Sequence, residues 1–161
     1  MFLEGKAIAP GNGHAEGRAL LRQMYLRYVG KPVPEIAVTA QGKPYFVDSP
    51  WNFSISHTKR HVFCALSERN IGIDAEEQDR AIRPELAKQI LSDRELTRYA
   101  QAQDPRQALL CFWVLKEALG KLTGEGIKFH PTHTNFSPDD PRVHRIYDCL
   151  VAVIEEENNA V

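Results

Sequence analysis

Two stretches of this chain constrain its fold most, because each has the periodicity of one secondary structure and both carry acidic side chains. In residues 71–76, isoleucines alternate with other residues, which predicts a β-strand with Asp74 and Glu76 on the same face. Two neighbouring carboxylates repel each other unless a cation lies between them. A hard divalent metal ion is the simplest reason for placing them side by side.

The second stretch, residues 105–122, has the spacing of a helix. Its apolar residues recur at steps of three and four, and they are Ala108, Phe112, Leu115, Leu119 and Leu122. Trp113, Glu117 and Lys121 step by four along the opposite face. Packed against the strand, this face would add a third carboxylate and a cation to a metal and phosphate site. The spacing alone leaves an alternative open, because acidic strand ends are usually solvated and a Glu–Lys pair four residues apart is common on helix surfaces.

Composition is that of an ordinary globular chain, with 161 residues for one domain or two small halves that share a core. The formal net charge of −1 gives no indication of nonspecific binding to nucleic acid or to membranes. No apolar run approaches the roughly 18 residues of a membrane span, and the first residues lack the layout of a signal peptide. The cytoplasm is therefore the expected location.

The three cysteines, Cys64, Cys111 and Cys149, lie within apolar runs. They lack the paired spacing of a zinc site or of a disulfide framework. Buried free thiols are the expected state.

The order of elements predicts an α+β fold. Residues 1–14 are polar and contain glycines, with a loop predicted over residues 10–14, and residues 130–141 are predicted as a proline-rich loop. Between and after them, the predicted elements are a helix over 15–29, strands over 36–38, 53–58, 61–67 and 71–76, helices over 84–91, after Ser92 and over 105–122, and a final strand over 147–154.

A serine and a histidine stand next to each other on the strand predicted for residues 53–58. Adjacent strand residues point to opposite faces, so Ser56 and His57 do not have the contact that a nucleophile–base pair needs. Contacts to a ligand near the end of the strand fit these two residues better.

For two other sets of polar residues, the sequence does not decide between a structural role and a role in a site. Arg18, Arg22 and Arg27 on the first helix are either solvated or face an anionic ligand. Ser92 and Glu95 have the spacing of a capping box, so Glu95 either caps the next helix or takes part in an active site.

Three blocks of residues carry a resemblance to a known family. They are Gly42-Lys43-Pro44 with Phe53-Ser-Ile-Ser-His-Thr58, then Gly72-Ile-Asp74-x-Glu76, and then Trp113-x-x-Lys116-Glu117-Ala118-x-x-Lys121. In this order and approximate spacing they resemble the signature of the 4′-phosphopantetheinyl transferase superfamily, from about Gly17 to the last strand. The resemblance implies an α+β fold with antiparallel or mixed sheets packed with helices. It also implies a pseudo-dimeric chain with a shortened first half, residues 1–70, and a second half, residues 71–161, in one compact unit.

The activity implied by the resemblance is that of a holo-[acyl-carrier-protein] synthase. The 4′-phosphopantetheine arm of coenzyme A passes to a serine of an apo acyl or peptidyl carrier protein, with Mg²⁺ as cofactor and adenosine 3′,5′-bisphosphate as the released product. By resemblance, the first half holds the adenosine end of coenzyme A, and the second half holds the metal and docks the carrier.

The site residues implied by the resemblance fall into three groups. They are Asp74, Glu76 and Glu117 for the metal, Lys121 for the pyrophosphate, and Lys43, Ser56 and His57 for the adenosine end, with Lys43 and His57 as candidates for the 3′-phosphate. The acceptor of the serine proton stays open between Glu117, Glu95 and a water bound to the metal.

Two other functions remain compatible with the sequence. One is a noncatalytic relative that binds coenzyme A or a carrier protein. The other is an unrelated Mg²⁺-dependent phosphohydrolase, although no separate hydrolase motif accompanies the carboxylates.

A docking surface for the carrier is also predicted. Carrier proteins of this kind are generally acidic around the modified serine, which favours a basic surface with apolar gaps. Residues 80–91 offer such a surface, with Arg80 and Arg83 beside Leu86 and Ile90. Leu86 and Ile90 share a helical face, which predicts an apolar ridge that contacts a carrier helix.

Overall fold

The computed structural model describes residues 1–126 and 133–157, and within them the chain has the α+β fold that the sequence predicts. The elements follow in the order β1 Phe2–Ala7, α1 Gly13–Val29, β2 Ile36–Val38, β3 Pro44–Phe46, β4 Asn52–His57, β5 His61–Ser67, β6 Ile71–Glu77, α2 Leu86–Ile90, α3 Asp93–Ala100, α4 Pro105–Thr123, β7 Val143–Ile146 and β8 Cys149–Glu155.

Two three-stranded antiparallel sheets form the frame, in the orders β1-β5-β4 and β6-β8-β7, and β2 and β3 form a separate hairpin. The two larger sheets are connected in the same way. In each sheet, the strand that comes last in sequence (β5 or β8) lies in the middle and pairs with both other strands. A long helix, α1 or α4, follows the first strand of the sheet and precedes the other two in sequence.

The two sheets meet where β4 lies beside β6. The backbone N–H of Ile73 donates to Ser54 Oγ, and that of Ala75 donates to Ser56 Oγ, both at 3.0 Å. Serine hydroxyls thus satisfy N–H groups of β6 that the ladder with β8 leaves unpaired. Phe63 on β5 packs with Ile73 on β6 in an apolar cluster that joins the two sheets.

Helix α4 is the longest element and follows the predicted bounds within one residue. The carboxylate of Asp104 accepts a hydrogen bond from the Gln107 N–H at 3.0 Å, and Pro105 occupies the first turn, where its missing N–H costs nothing. Gly124, with a φ of 79°, ends the helix in the left-handed conformation that glycine adopts most easily. Phe112 and Leu115 are fully buried, and the helix packs on β6 and β8.

The sequence predicts no element for residues 2–7, which form β1. Its polar residues alternate with small and apolar ones because β1 is an edge strand. Phe2 stacks on Tyr28, with ring centroids 3.9 Å apart, and Glu4 accepts a hydrogen bond from the Tyr28 hydroxyl at 2.6 Å. Pairing with β5, which the local pattern does not show, makes this segment a strand.

The last sheet also differs from the prediction. The predicted final strand over 147–154 begins at Cys149, because Tyr147 and Asp148 form the turn of a hairpin whose first strand is β7. Residues 133–141 of the predicted loop lie outside helices and strands apart from a short helical turn, and residues 130–132 lie outside the described residues.

Two other expectations can be compared with the described structure. All three cysteines are buried free thiols, as predicted. In the part of the chain that the structure describes, no helix is both long and apolar enough to cross a membrane.

Candidate active site

A cleft of about 590 Å³ lies between the two sheets and the end of α4. Its volume is within the range of small-molecule and cofactor sites. Its lining includes all the residues predicted for the metal, the pyrophosphate and the adenosine end, which are Lys43, Ser56, His57, Asp74, Glu76, Glu117 and Lys121. The structure therefore brings these residues, from β4, β6, α4 and the β2–β3 hairpin, to one place.

Asp74 is the most enclosed acid of the cleft, with 7% of its surface exposed. Its Oδ1 accepts hydrogen bonds from Ser56 Oγ at 3.1 Å and from Lys121 Nζ at 2.8 Å. Its Oδ2 is buried and has no hydrogen-bond partner among the described residues. A buried carboxylate oxygen without a partner is costly, so this atom is suited to contact a cation or a donor from a ligand.

Glu76 lies two residues further along β6 and is held by α4. It accepts a hydrogen bond from Trp113 Nε1 at 3.2 Å and forms an ion pair with Arg80, whose guanidinium lies 5.2 Å from the centre of the Trp113 ring. Burial raises the pKa of Glu76; the neighbouring Asp74 also raises it, while Arg80 opposes the shift.

Glu117 completes the acidic group from the helix side. Burial raises the pKa of Glu117 to about 7, and the charges of Asp74 and Glu76 add to this effect while Lys121 and Arg80 oppose it. The three carboxylates are therefore close enough to feel one another. The ligand atoms of these three carboxylates do not all lie within 4.8 Å of one another in the described structure. The group of described residues that does meet this distance is a different one, His61, Asp148 and Cys149.

A hard divalent cation fits this acidic group. The donors are all carboxylate oxygens, which is the set that Mg²⁺ prefers, and one of them, Asp74 Oδ2, has no hydrogen-bond partner in residues 1–126 and 133–157. The raised pKa values of Glu76 and Glu117 have burial and mutual repulsion as their causes, and a bound cation relieves repulsion. Lys121 and Arg80 contact Asp74 and Glu76 in the metal-free arrangement.

Replacing Glu117 with glutamine is expected to stabilise the metal-free protein at pH 8. The folded-state pKa of about 7 lies above the ordinary value of 4.5, so as pH rises from 4.5 to 7 the unfolded chain loses this proton first and stability falls. Glutamine does not titrate, so the variant does not lose this part of its free energy of unfolding as pH rises. Because the side chain is half-buried, we expect a gain of about 1–2 kcal/mol at pH 8 and almost none at pH 4.5.

Urea unfolding of both proteins at pH 4.5 and pH 8, with a chelator present, measures this difference. Glu125→Gln, which replaces an exposed acid just beyond the same helix, is the matched control and should show no such pH dependence. A stability difference that is the same at both pH values would contradict the expectation.

The residues predicted for the adenosine end differ in how they are held. The Ser56 hydroxyl is buried and engaged with Asp74 and with the backbone of Ala75. His57 is exposed and points to the other face, as predicted, and it lies so close to the start of α1 that a Cβ at Gly13 would be 2.3 Å from its ring. Lys43 donates to Asn70 Oδ1 at 2.5 Å and to the carbonyl of residue 122 at 2.6 Å, and burial lowers the pKa of Lys43.

Arg18 is a cleft residue whose role the sequence left open. It lines the cleft, its guanidinium lies 5.8 Å from the centre of the Phe53 ring, and its Nη1 is buried with no hydrogen-bond partner among the described residues. Arg27, by contrast, forms an ion pair with Glu4 at 2.6 Å. The helical periodicity of α1 did not separate these two arginines, because it does not show which side of the helix faces a cleft.

The structure places Glu95 away from the cleft lining. Its side chain is fully buried, accepts from the Ser92 N–H at 2.9 Å in the predicted capping box, and forms an ion pair with Lys116 at 2.8 Å. The same carboxylate also accepts from the Phe136 N–H at 2.8 Å. These contacts give Glu95 a structural position that joins α3, α4 and the segment after residue 133.

The predicted docking ridge is not present in the form expected. Ile90 is buried and Leu86 packs on the same apolar cluster, so neither forms an exposed ridge, and Arg80 is engaged with Glu76 and Trp113. Arg83 and Lys88 remain exposed, and Arg83 lines a groove of about 360 Å³ at the start of α2 together with Glu85, Leu86 and Gln89.

Comparison with known proteins connects this cleft with one family. Residues 70–153 match the family model described as the 4′-phosphopantetheinyl transferase superfamily. The chain is similar to the 4′-phosphopantetheinyl transferase HetI of Nostoc sp., with 31% identity over 140 residues that cover 78% of this chain and 57% of the relative. It is also similar to the 4′-phosphopantetheinyl transferase Sfp of Bacillus subtilis, with 32% identity over 116 residues that cover 69% of this chain and 51% of the relative. The chain thus spans about half the length of the curated relatives that it matches.

Proposed function

The chain belongs to the 4′-phosphopantetheinyl transferase superfamily, and we propose that it transfers the 4′-phosphopantetheine arm of coenzyme A to a serine of an apo acyl or peptidyl carrier protein, with release of adenosine 3′,5′-bisphosphate. The observation that carries the proposal is the convergence of Asp74, Glu76 and Glu117 in one cleft with Lys121, where Asp74 Oδ2 is buried without a partner among the described residues. Grouped acids with a nearby lysine suit phosphoryl transfer, which depends on placing charges around a pyrophosphate.

The arrangement proposed for the chain is pseudo-dimeric, with residues 1–70 in the first half and residues 71–161 in the second half. The identical connection order of the β1-β5-β4 and β6-β8-β7 sheets supports it. In this arrangement the cleft lies at the boundary between the halves, so the adenosine end of coenzyme A contacts the first half and the reacting phosphates contact the second.

Asp74, Glu76 and Glu117 would hold Mg²⁺. When bound, this ion supplies neutralisation of charge on the phosphate oxygens and orientation of the pyrophosphate. Lys121 Nζ, which contacts Asp74 in the metal-free arrangement, has a side chain that is 34% exposed, and we propose that it binds the pyrophosphate instead.

Glu117 is the side chain that we propose as acceptor of the serine proton. Of the two carboxylates considered from the sequence, it lines the cleft, whereas Glu95 is enclosed by Ser92, Lys116 and Phe136. A general base must lie within hydrogen-bond reach of the proton that it removes, and Glu95 has no place in the cleft from which to do so.

Lys43 and His57 are proposed to bind the 3′-phosphate of coenzyme A. Lys43→Ala and His57→Ala should each weaken the binding of coenzyme A more than the binding of dephospho-coenzyme A, because the second ligand lacks that phosphate. A charge-assisted contact contributes about 1.5–3 kcal/mol, so the ratio of the two dissociation constants should change by about tenfold or more. Isothermal titration with both ligands measures the ratio.

Asn70→Ala is the matched control for Lys43, because it removes one partner of the Lys43 ammonium without removing the charge. It should leave the ratio of affinities near that of the unchanged chain. If Lys43→Ala and His57→Ala reduce the affinity for both ligands equally, these residues contact another part of coenzyme A.

The carrier is proposed to dock beside the start of α2, where Arg83 and Lys88 are exposed. Reversing both to glutamate should slow association with an acidic carrier several-fold at low salt and make the rate less dependent on ionic strength. Affinity for coenzyme A should not change. Stopped-flow association at two salt concentrations measures this, with the exposed Arg22 and Lys31 reversed to glutamate as a control of equal charge change. An unchanged rate at low salt would place the docking surface elsewhere.

The proposed activity is tested directly by mass spectrometry of an apo carrier protein incubated with the chain, coenzyme A and Mg²⁺. A mass gain of one phosphopantetheine arm supports the transferase. Binding of coenzyme A or of the carrier with no mass gain supports a noncatalytic relative, and release of phosphate without modification of the carrier supports a phosphohydrolase.

A further inference from the structure

A second cluster of metal-ligating side chains lies outside the cleft and shares no residue with it. His61, at the start of β5, faces Asp148 and Cys149, at the turn between β7 and β8. Residues of the two different sheets therefore meet at this point. The proposed transfer of phosphopantetheine uses none of the three.

The distances within the cluster match those between ligands of one tetrahedral ion. His61 Nδ1 lies 3.2 Å from Asp148 Oδ1, Cys149 Sγ lies 3.7 Å from His61 Nδ1, and Cys149 Sγ lies 3.8 Å from Asp148 Oδ1. Bond lengths to zinc of about 2.0–2.3 Å at tetrahedral angles place such ligand atoms roughly 3.3–3.6 Å apart. The cluster is thus close to a metal-binding geometry without rearrangement of the backbone.

Neighbouring residues fix the orientation of two of the three ligands. Arg60 contacts Asp148 Oδ2 at 2.5 Å, which leaves Oδ1 facing the cluster. Tyr147 stacks on the His61 ring, with centroids 4.8 Å apart, and its hydroxyl donates to the carbonyl of Gly5 at 3.1 Å. Outer contacts of this kind orient the ligands in known metal sites.

Tyr147, which stacks on His61, has a backbone conformation that is unusual for tyrosine. Its φ of 54° is left-handed, at a hairpin position where glycine or asparagine is usual. The contacts of the ring with His61 and of the hydroxyl with Gly5 account for tyrosine at a position that is costly for it.

We propose that His61, Asp148 and Cys149 bind one divalent transition-metal ion of the zinc class, which links the two sheets. A thiolate, an imidazole and a carboxylate together favour Zn²⁺ or Co²⁺ over Mg²⁺. Access is from the Asp148 side, where that side chain is 47% exposed, and a water completes the fourth position. Cys149 ligates such an ion as a thiolate, so binding of the ion releases the proton of the thiol to solvent.

Titration of the chelator-treated chain with Co²⁺ tests the proposal. Coordination by a thiolate gives a sulfur-to-cobalt charge-transfer absorption, which oxygen ligands such as the carboxylates of the cleft do not give. We expect this absorption to saturate at one equivalent of Co²⁺, to be lost on addition of Zn²⁺ and to persist in excess Mg²⁺. It should also persist in Asp74→Ala, which separates this site from the cleft.

Three variants complete the test. Cys149→Ala should abolish the absorption, whereas Cys64→Ala, which removes an equally buried thiol from β5, should retain it. Asp148→Asn changes a side chain that is half-exposed and so tolerates substitution, and it should weaken Co²⁺ binding by about tenfold or more. No charge-transfer absorption at stoichiometric Co²⁺, or an absorption retained in Cys149→Ala, would overturn the proposal, as would unchanged affinity in Asp148→Asn.

Discussion

Replacing Asp74 with alanine is expected to reduce transfer of phosphopantetheine by at least about 10³-fold while the protein stays folded. The size follows from the position of this carboxylate, since removing a single preorganised charge from an active site commonly costs 10²–10³ in rate, and here a metal ligand is lost as well. Asp74 contacts Ser56 and Lys121 through Oδ1, and its Oδ2, which has no hydrogen-bond partner within the described part of the chain, is suited to contact a cation.

The fold should tolerate the change because removal of Asp74 also removes repulsion. The charge of Asp74 contributes to the raised pKa values of both Glu76 and Glu117, so alanine should bring both pKa values down.

The rate of mass gain on a carrier measures transfer, and thermal unfolding measures whether the fold is kept. Asp79→Ala, an exposed acid just beyond β6, is the matched control and should keep normal activity. A rate for Asp74→Ala within tenfold of the unchanged chain would exclude a metal-binding role for this residue.

The parts of the fold that the sequence predicts best are those with a complete local pattern. Helix α4 has an N-cap at Asp104, a proline at its first position, a glycine stop and a continuous apolar stripe, so its bounds follow from the chain itself. The cleft is predictable only in part. Period two puts Asp74 and Glu76 on one face of β6, and period four puts Glu117 and Lys121 on one face of α4. That the two faces meet depends on the packing of α4 on β6, which the spacing does not show.

The elements that the sequence does not show are those that depend on a partner strand. β1 and β7 are edge strands with mixed polar and apolar residues, and their burial patterns are intermediate or exposed. Pairing with β5 and β8 satisfies their backbone groups, and no local pattern reports that pairing. The same limit explains why the sequence left open whether Arg18 and Glu95 belong to the site.

The cluster of His61, Asp148 and Cys149 is a further case of the same limit. Zinc sites are recognised in a sequence by ligands spaced a few residues apart, and here the imidazole is separated from the other two ligands by more than half of the chain. The cluster forms only because β5 and the β7–β8 hairpin belong to sheets that pack together.

Gly72→Ala is expected to cause the largest loss of stability of the glycine-to-alanine changes at glycines outside left-handed turns. A Cβ at Gly72 would lie 2.1 Å from the carbonyl oxygen of Ala118 and 2.4 Å from the backbone nitrogen of Leu122. Both atoms belong to the backbone of α4, so no change of rotamer relieves the overlap. Inserting a methyl group into a packed core costs typically 1–3 kcal/mol, and because backbone must move here we expect about 3 kcal/mol or more.

The consequence should extend to the cleft, because α4 can accept the new methyl group only by moving away from β6. That movement separates Lys121 from Asp74 and Trp113 from Glu76, so Gly72→Ala should lose most of its transfer activity even where it remains folded.

Gly30→Ala is the matched control. The φ of 74° makes alanine unfavourable there, but nothing lies within 4 Å of its Cβ, so the change should cost only about 1 kcal/mol and leave activity unchanged. Urea unfolding and carrier modification measured on both variants decide the matter. If Gly72→Ala costs no more than Gly30→Ala, close contact between β6 and α4 is not what requires glycine at this position.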